Sequence, residues 1–179
     1  NSGEKIAILG STGSGKSTLI SILPRFYDVN SGRVLVGGVN IKNYKLDRLR
    51  SEIAVVLQKS ELFSGTIREN ILWGKPDATD EEILEASKVA QADEYISRFN
   101  DGYETMVGEK GTSLSGGQRQ RMCIARAIIR KPKILIFDDA TSALDLATEA
   151  KLREALNEQL ADTTVIMIAQ RIASVKNSD

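Results

Sequence analysis

An apolar run, Ile6-Ala7-Ile8-Leu9, gives way to a glycine-rich stretch and then to a helix-like pattern over residues 16–23. Residues 5–23 therefore predict strand, loop and helix, with Pro24 ending the helix because it has no backbone N–H to donate. Arg33-Val34-Leu35-Val36 and Val39-Asn40-Ile41 flank Gly37-Gly38, the pattern of a β-hairpin with a glycine turn. Ile53-Ala54-Val55-Val56-Leu57 predicts a strand running into Gln58. From about residue 61 to 131 the apolar spacing becomes helical. Thr79-Asp80-Glu81-Glu82 is a capping box, and Ile83, Leu84, Ala86, Ala90 and Ile96 continue its apolar face. A second box, Ser115-Gly116-Gly117-Gln118, opens a helix through Ile129. Lys133-Ile134-Leu135-Ile136-Phe137 predicts a buried strand ending in two carboxylates, Asp138 and Asp139. Asp145 caps a helix to Leu160, and Thr164-Val165-Ile166-Met167-Ile168-Ala169 is the last strand. Strands alternating with helices imply an α/β fold with a parallel sheet. Residues 1–60 and 132–179 form its core, with a small antiparallel portion, and about 61–131 is an inserted helical subdomain.

The length, 179 residues, suits one domain, and 41% apolar residues is ordinary for a globular chain. Twenty-four basic and 24 acidic residues cancel, which argues against nucleic acid or a membrane surface as a general electrostatic partner. The one cysteine, Cys123, excludes an intrachain disulfide, fits a reducing compartment and reads as a buried small apolar residue. No apolar run approaches the roughly 20 residues that span a bilayer. The abrupt start before Ile6 and the end just after Ala169 suggest a piece of a longer polypeptide.

Gly10-Ser11-Thr12-Gly13-Ser14-Gly15-Lys16-Ser17 fits G-x-x-x-x-G-K-[ST], and the strand before it and helix after it are the context in which such a loop binds phosphates. Its backbone N–H groups and the helix N-terminus, continuing through Thr18, suit an anion. Lys16 supplies a point charge for the β- and γ-phosphates, and Ser17 a hydroxyl for Mg²⁺. Asp138 is placed to hold the metal from a neighbouring strand end. Gln58 could reach Mg²⁺ or the attacking water through its amide oxygen.

Leu114-Ser115-Gly116-Gly117-Gln118 is the signature of the ATP-binding-cassette (ABC) ATPases, and the whole chain resembles that family. Gln58 matches its Q-loop, and Ala140-Thr141-Ser142-Ala143-Leu144-Asp145 its D-loop region. Thr105-Met106-Val107-Gly108-Glu109-Lys110-Gly111 and Leu62-Phe63-Ser64-Gly65-Thr66-Ile67-Arg68-Glu69-Asn70-Ile71 are similar to exporter cassettes, where the first touches the intracellular loops of the transmembrane domains. The resemblance implies a P-loop NTPase (RecA-like) core, ATP and Mg²⁺ as ligands, and head-to-tail pairing with a second cassette. In that pair Ser115, Gly116, Gly117, Gln118 and Asp145 close on the partner's nucleotide. It further implies attachment to the cytoplasmic side of a membrane through transmembrane domains outside this chain, and an adenine-stacking aromatic upstream of residue 1. Phe26, Tyr27 and Trp73 read as packing residues.

Two positions depart from the family. The residue after Asp138, usually a general-base Glu, is Asp139, and the usual switch histidine is Gln170 in a chain that has no histidine. A base retracted by roughly 1 Å can lose about a hundredfold in rate. Glutamine can donate a hydrogen bond but cannot carry charge or relay a proton. The pair of changes resembles the degenerate half of a heterodimeric multidrug-type exporter, whose partner cassette keeps Glu and His. Alternatives are a non-catalytic, nucleotide-gated regulatory cassette and a fully active homodimer using Asp139 as base. A DNA-repair or chromosome-structure ATPase is disfavoured by the neutral charge and the lack of coiled-coil heptads. Drug, lipid and peptide export remain open as the transported class, with the resemblance leaning toward multidrug or lipid export.

Overall fold

The computed structural model describes residues 1–11, 13–111 and 113–169. Four strands, β1 (Lys5–Leu9), β4 (Ile53–Val56), β7 (Ile134–Asp138) and β8 (Thr164–Ala169), form one sheet. Its order is β1-β8-β7-β4 and every pair is parallel. The register aligns Leu9 with Ala169, Asp138 with Ile168, and Val56 with Phe137. All four strands thus point their carboxyl ends the same way.

Alternation along these strands explains the layering, because successive side chains leave opposite faces. Ala54, Val56, Leu135, Phe137, Val165 and Met167 enter one apolar cluster. Ile53, Ile136 and Ile168 enter the other. Both faces are apolar, as expected of a parallel sheet covered on each side. The smaller cluster is closed by Ile20 of α1 (Lys16–Ile22) and Leu49 of α2 (Leu46–Ser51). The larger one takes in α3 (Ile67–Leu72), α4 (Asp80–Val89), α5 (Asp93–Ile96), α6 (Gly116–Ile128) and α7 (Leu146–Gln159). The helical section is therefore continuous in its packing with the sheet.

The two capping boxes expected from the sequence are present: Thr79 with Glu82, and Ser115 with Gln118. Asp145 caps α7 through the Thr148 N–H. The hairpin is β2 (Leu35–Val36) with β3 (Val39–Asn40), shorter than its apolar pattern. Residues 61–131 are not purely helical, since β5 (Gly65–Thr66) pairs antiparallel with β6 (Met106–Val107). Several packing expectations are corrected. Trp73 is 64% exposed and offers only one face, stacked on Phe63 with centroids 4.5 Å apart. Phe26 is exposed beneath the Arg50 guanidinium, Tyr27 is exposed, and Leu84 falls at the rim of the α4 apolar face. Cys123 is half-buried rather than buried, at the wall of a cavity of about 370 Å³.

One buried polar knot joins β5, α3 and α6. Asn70, 1% exposed, donates from Nδ2 to the Phe63 and Thr66 carbonyls at 2.9 and 3.0 Å. Its Oδ1 accepts from the Phe63 N–H and Arg126 Nη2, both at 2.9 Å. Asn70→Leu would strand these groups without water. An unpaired buried polar group costs about 1–3 kcal/mol, so a loss of about 3 kcal/mol is expected in urea unfolding of the cassette.

Glu82 shows the same economy at the surface. Lys75 Nζ donates to its carboxylate at 2.8 and 2.6 Å, with Lys131 Nζ at 3.1 Å and the Thr79 N–H at 3.3 Å. These donors, Lys75 foremost, hold its pKa down to about 2. A depressed carboxylate stabilises the fold above its unfolded pKa of about 4.3, and the gain is lost as pH falls toward the folded value. Glu82→Gln should therefore flatten the pH dependence of stability between about pH 4.3 and 2, read from melting curves.

Candidate functional site

Ligands of open parallel sheets bind beyond the strands' carboxyl ends. Here the chain puts its polar residues there: residues 10–17 after β1, Gln58 just past β4, and Asp138 and Asp139 at and after the end of β7. Gln170, directly after β8, and Thr12 lie outside the described residues.

Gly13 and Gly15 take φ of +82° and +86°, a region that a side chain disfavours, and no atom lies within 4 Å of where their Cβ would stand. Gly15 is the N-cap of α1, so the loop turns its backbone directly into the helix N-terminus. Lys16 Nζ donates to the Gly10 and Ser11 carbonyls, each at 2.7 Å, and to Ser14 Oγ at 3.3 Å. The ammonium is thereby drawn over the mouth of the loop. Ser17 Oγ donates to Asp138 Oδ1 at 2.9 Å, joining the start of α1 to the end of β7. Gln58 Nε2 donates to Asp139 Oδ2 at 3.1 Å, which leaves the Gln58 amide oxygen to accept or ligate. Thr18 is exposed on the first turn of α1.

Asp139 has φ +51°, a conformation that Asp tolerates better than most residues with a Cβ. It is fixed by its N–H on the Ile168 carbonyl at 3.1 Å and by Ser142 Oγ on its own carbonyl at 2.8 Å. Its position therefore comes from three strand ends at once.

The donors beside the loop suit a hard cation. A hydroxyl, a carboxylate and an amide oxygen fit Mg²⁺, which takes few protein ligands and completes its shell with water and phosphate. Among the described residues no three His, Cys, Asp or Glu cluster as a metal cage. Ser17, Asp138 and Gln58 would hold the ion, which would neutralise phosphate charge.

Ser115, Gly116, Gly117 and Gln118 make a separate cluster at the start of α6. Ser115 N donates to Gln118 Oε1 at 2.8 Å and Gln118 N to Ser115 Oγ at 3.3 Å, while Tyr95 OH donates to the Gln118 carbonyl at 3.0 Å. Ser115 and Gly116 are exposed. A Cβ on Gly117 would stand 3.2 Å from the Ala143 carbonyl, so glycine lets α6 close on the segment before Asp145. Asp145 itself is engaged locally, accepting from Thr148 N and Oγ1 at 3.0 and 2.7 Å, and these bonds, the Thr148 hydroxyl's first, lower its pKa.

Two polar side chains near the site are absent from the sequence reading. Glu149, 7% exposed, accepts from Thr141 Oγ1 at 3.1 Å and Arg153 Nη2 at 3.2 Å behind the Asp139–Asp145 loop. Gln120, 1% exposed, sits beside the end of β4. The signal for Gln120 was available: it falls on the i, i+4 line of Ile124 and Ile128, where an apolar residue is expected.

The comparisons agree with this geometry. The sequence pattern described as "ABC transporter" matches residues 1–142. The chain is 52% identical over 179 residues to the "Putative multidrug export ATP-binding/permease protein YgaD" of Bacillus subtilis (strain 168), covering 100% of this chain and 31% of that protein. A Staphylococcus aureus (strain NCTC 8325 / PS 47) protein of the same description is 50% identical over 177 residues, covering 99% of this chain and 31% of its own length. The solved structure of a bacterial Atm1-family ABC exporter with ATP bound superposes with a TM-score of 0.95 at 41% identity, over 99% of this chain and 31% of that one. The chain thus spans about a third of the length of the relatives it matches. Matching fold, loop and signature over nearly the whole sequence leave one assignment: the chain belongs to the ABC transporter family, with the α/β fold of its P-loop ATPase domain.

Proposed function

We propose that this chain is the ATP-binding module of a membrane exporter, that it pairs with a second, different cassette, and that its own ATP site is hydrolytically impaired. The Lys16 cradle, the Ser17–Asp138 contact and the exposed start of α6 support ATP binding with Mg²⁺ and head-to-tail pairing. The relatives' combined description as ATP-binding/permease proteins supports transmembrane domains as the load. Their intracellular loops would meet residues 105–111 and the groove beside Phe63 and Trp73. We place the cassette on the cytoplasmic side of that membrane, with residues 61–131 moving as a helical subdomain against the rest.

The observation that supports an impaired site is the short Asp139 side chain, engaged by Gln58. In this reading Asp139 is the base that takes a proton from water as the water oxygen bonds the γ-phosphorus and the β,γ-bridging bond breaks. Its carboxylate is one methylene short of Glu and is held 3.1 Å from Gln58 Nε2. A base works best when its oxygen comes within about 2.6–3.2 Å of the heavy atom whose proton it takes, a reach that the shorter side chain lowers. The Ser115–Gln118 end of α6 would in turn complete the partner's competent site. Substrate selection would lie in the transmembrane domains, with multidrug or lipid export the favoured class.

Burst stoichiometry tests this reading. In the assembled transporter loaded with two ATP, one should be cleaved in the fast phase and one retained. Fast cleavage of both would return Asp139 to the role of competent base in a fully active pair.

A further inference from the structure

The buried amide of Gln120 does something that its place on an apolar stripe does not require. Strand β4 ends at Val56, where its pairing with β7 stops, and the Leu57 carbonyl emerges next to α6. Gln120 Nε2 donates to that carbonyl at 3.4 Å, and Gln120 Oε1 accepts from Ser60 Oγ. Leu57 and Ser60 bracket Gln58, whose own amide donates to Asp139. Gln58 and Lys59 between them are exposed, and with Ser60, Gly116, Gln120 and Ala143 they line an open cavity of about 460 Å³. The segment carrying Gln58 is therefore bonded on both sides by one side chain, at the Leu57 carbonyl and the Ser60 hydroxyl.

That side chain belongs to the second turn of α6, five residues from Ser115 at the helix start. The capping box ties Ser115 to Gln118, and the backbone of α6 runs unbroken from there through Gln120, so the helix start and Gln120 share one hydrogen-bonded element. We infer that Gln120 is a positioning residue that couples the two ATP sites this chain helps to build. Displacement of the Ser115–Gly117 end, when it closes on the partner's nucleotide, is passed through Gln120 to the 57–60 segment. From there it reaches the Gln58–Asp139 contact beside this chain's own nucleotide. The same path runs in reverse, so occupancy of the own site sets the helix end that the partner's site uses. A purely packing residue at position 120 would be Leu or Met. The amide fits this link because it answers one acceptor and one donor that flank a functional residue, and buried polar groups are kept where they are fully satisfied.

This inference rests on the reading of the chain as one of two paired cassettes, and the experiment separates the two. In the full-length transporter with its partner, ATP binding is measured first, then steady-state hydrolysis of Gln120→Met, Gln58→Ala and the double variant. Each single change should lower turnover about tenfold, the size of an ordinary inter-site coupling, with KM for ATP moving less than twofold. The double variant should be no slower than either single one, since both cut the same path. Ser60→Ala removes one of the two bonds and should give a smaller loss, about threefold, with the same lack of additivity against Gln58→Ala. It keeps the test open if Gln120→Met folds poorly. Multiplicative losses, or an unchanged rate in Gln120→Met and Ser60→Ala, would overturn the coupling while leaving the cassette reading intact. A parent that fails to bind ATP would overturn both.

Discussion

Replacing Asp139 by Glu together with Gln170 by His should raise single-turnover ATP hydrolysis at this chain's own site about a hundredfold. Glu lengthens the side chain by roughly 1 Å, and His restores at position 170 the family's usual switch residue, a group that can hold charge. A hundredfold gain corresponds to about 2.7 kcal/mol of barrier, the expected size of one misplaced general base. The change should carry a small penalty in stability. Asp139 sits at φ +51°, where Asp is favoured over longer side chains, so the Glu variant should melt slightly lower than the parent. Faster chemistry with a slightly weaker fold is the pattern of a site rebuilt for activity. ATP affinity should hardly move, because the Lys16 cradle and the Ser17–Asp138 contact are untouched. Equal rates in parent and variant would make Asp139 a sufficient base and favour a self-paired, fully active ATPase.

How far such expectations could be drawn from the sequence depended on how local the signal was. The loop over residues 10–17 was legible because glycine, lysine and serine at fixed spacing have one structural use between a strand and a helix. The strands of the sheet were legible because both faces are buried, which makes the apolar runs continuous. Thr79, Ser115 and Asp145 were found as caps from side-chain chemistry alone. An equally clear box at Thr66 and Glu69 opens α3 and was there to be read. The β5–β6 pair was not legible, since two residues per strand carry no period and the partner lies some forty positions away. The exposure of Trp73 is not legible either, because an aromatic stacked on Phe63 packs one face and leaves the other open. The link from Gln120 to Leu57 joins positions 63 apart, and only the fold brings them together.

The second large effect separates this chain's two roles. In the assembled transporter, Ser115→Arg in this chain should cut the fast hydrolysis phase by about a hundredfold or more, because it blocks the helix N-terminus proposed to meet the partner's γ-phosphate, and losing one such donor site costs about 10²–10³ in rate. The lost cap costs about 1 kcal/mol, too little to unfold α6, whose Ile124, Ala125 and Ile128 stay buried. Ser115→Thr keeps the cap and the hydroxyl and should run near the parent rate. Lys16→Ala, by contrast, removes the charge from this chain's own loop. It should abolish ATP retention there yet lower the fast phase only about tenfold, the loss expected when one site stops informing the other. The two variants thus strike the same chain at two separate anion sites, one on the loop after β1 and one at the start of α6, and should fail differently. If Lys16→Ala silences the pair while Ser115→Arg is tolerated, the competent site is the one built on this chain's own loop, and the assignment of roles is reversed.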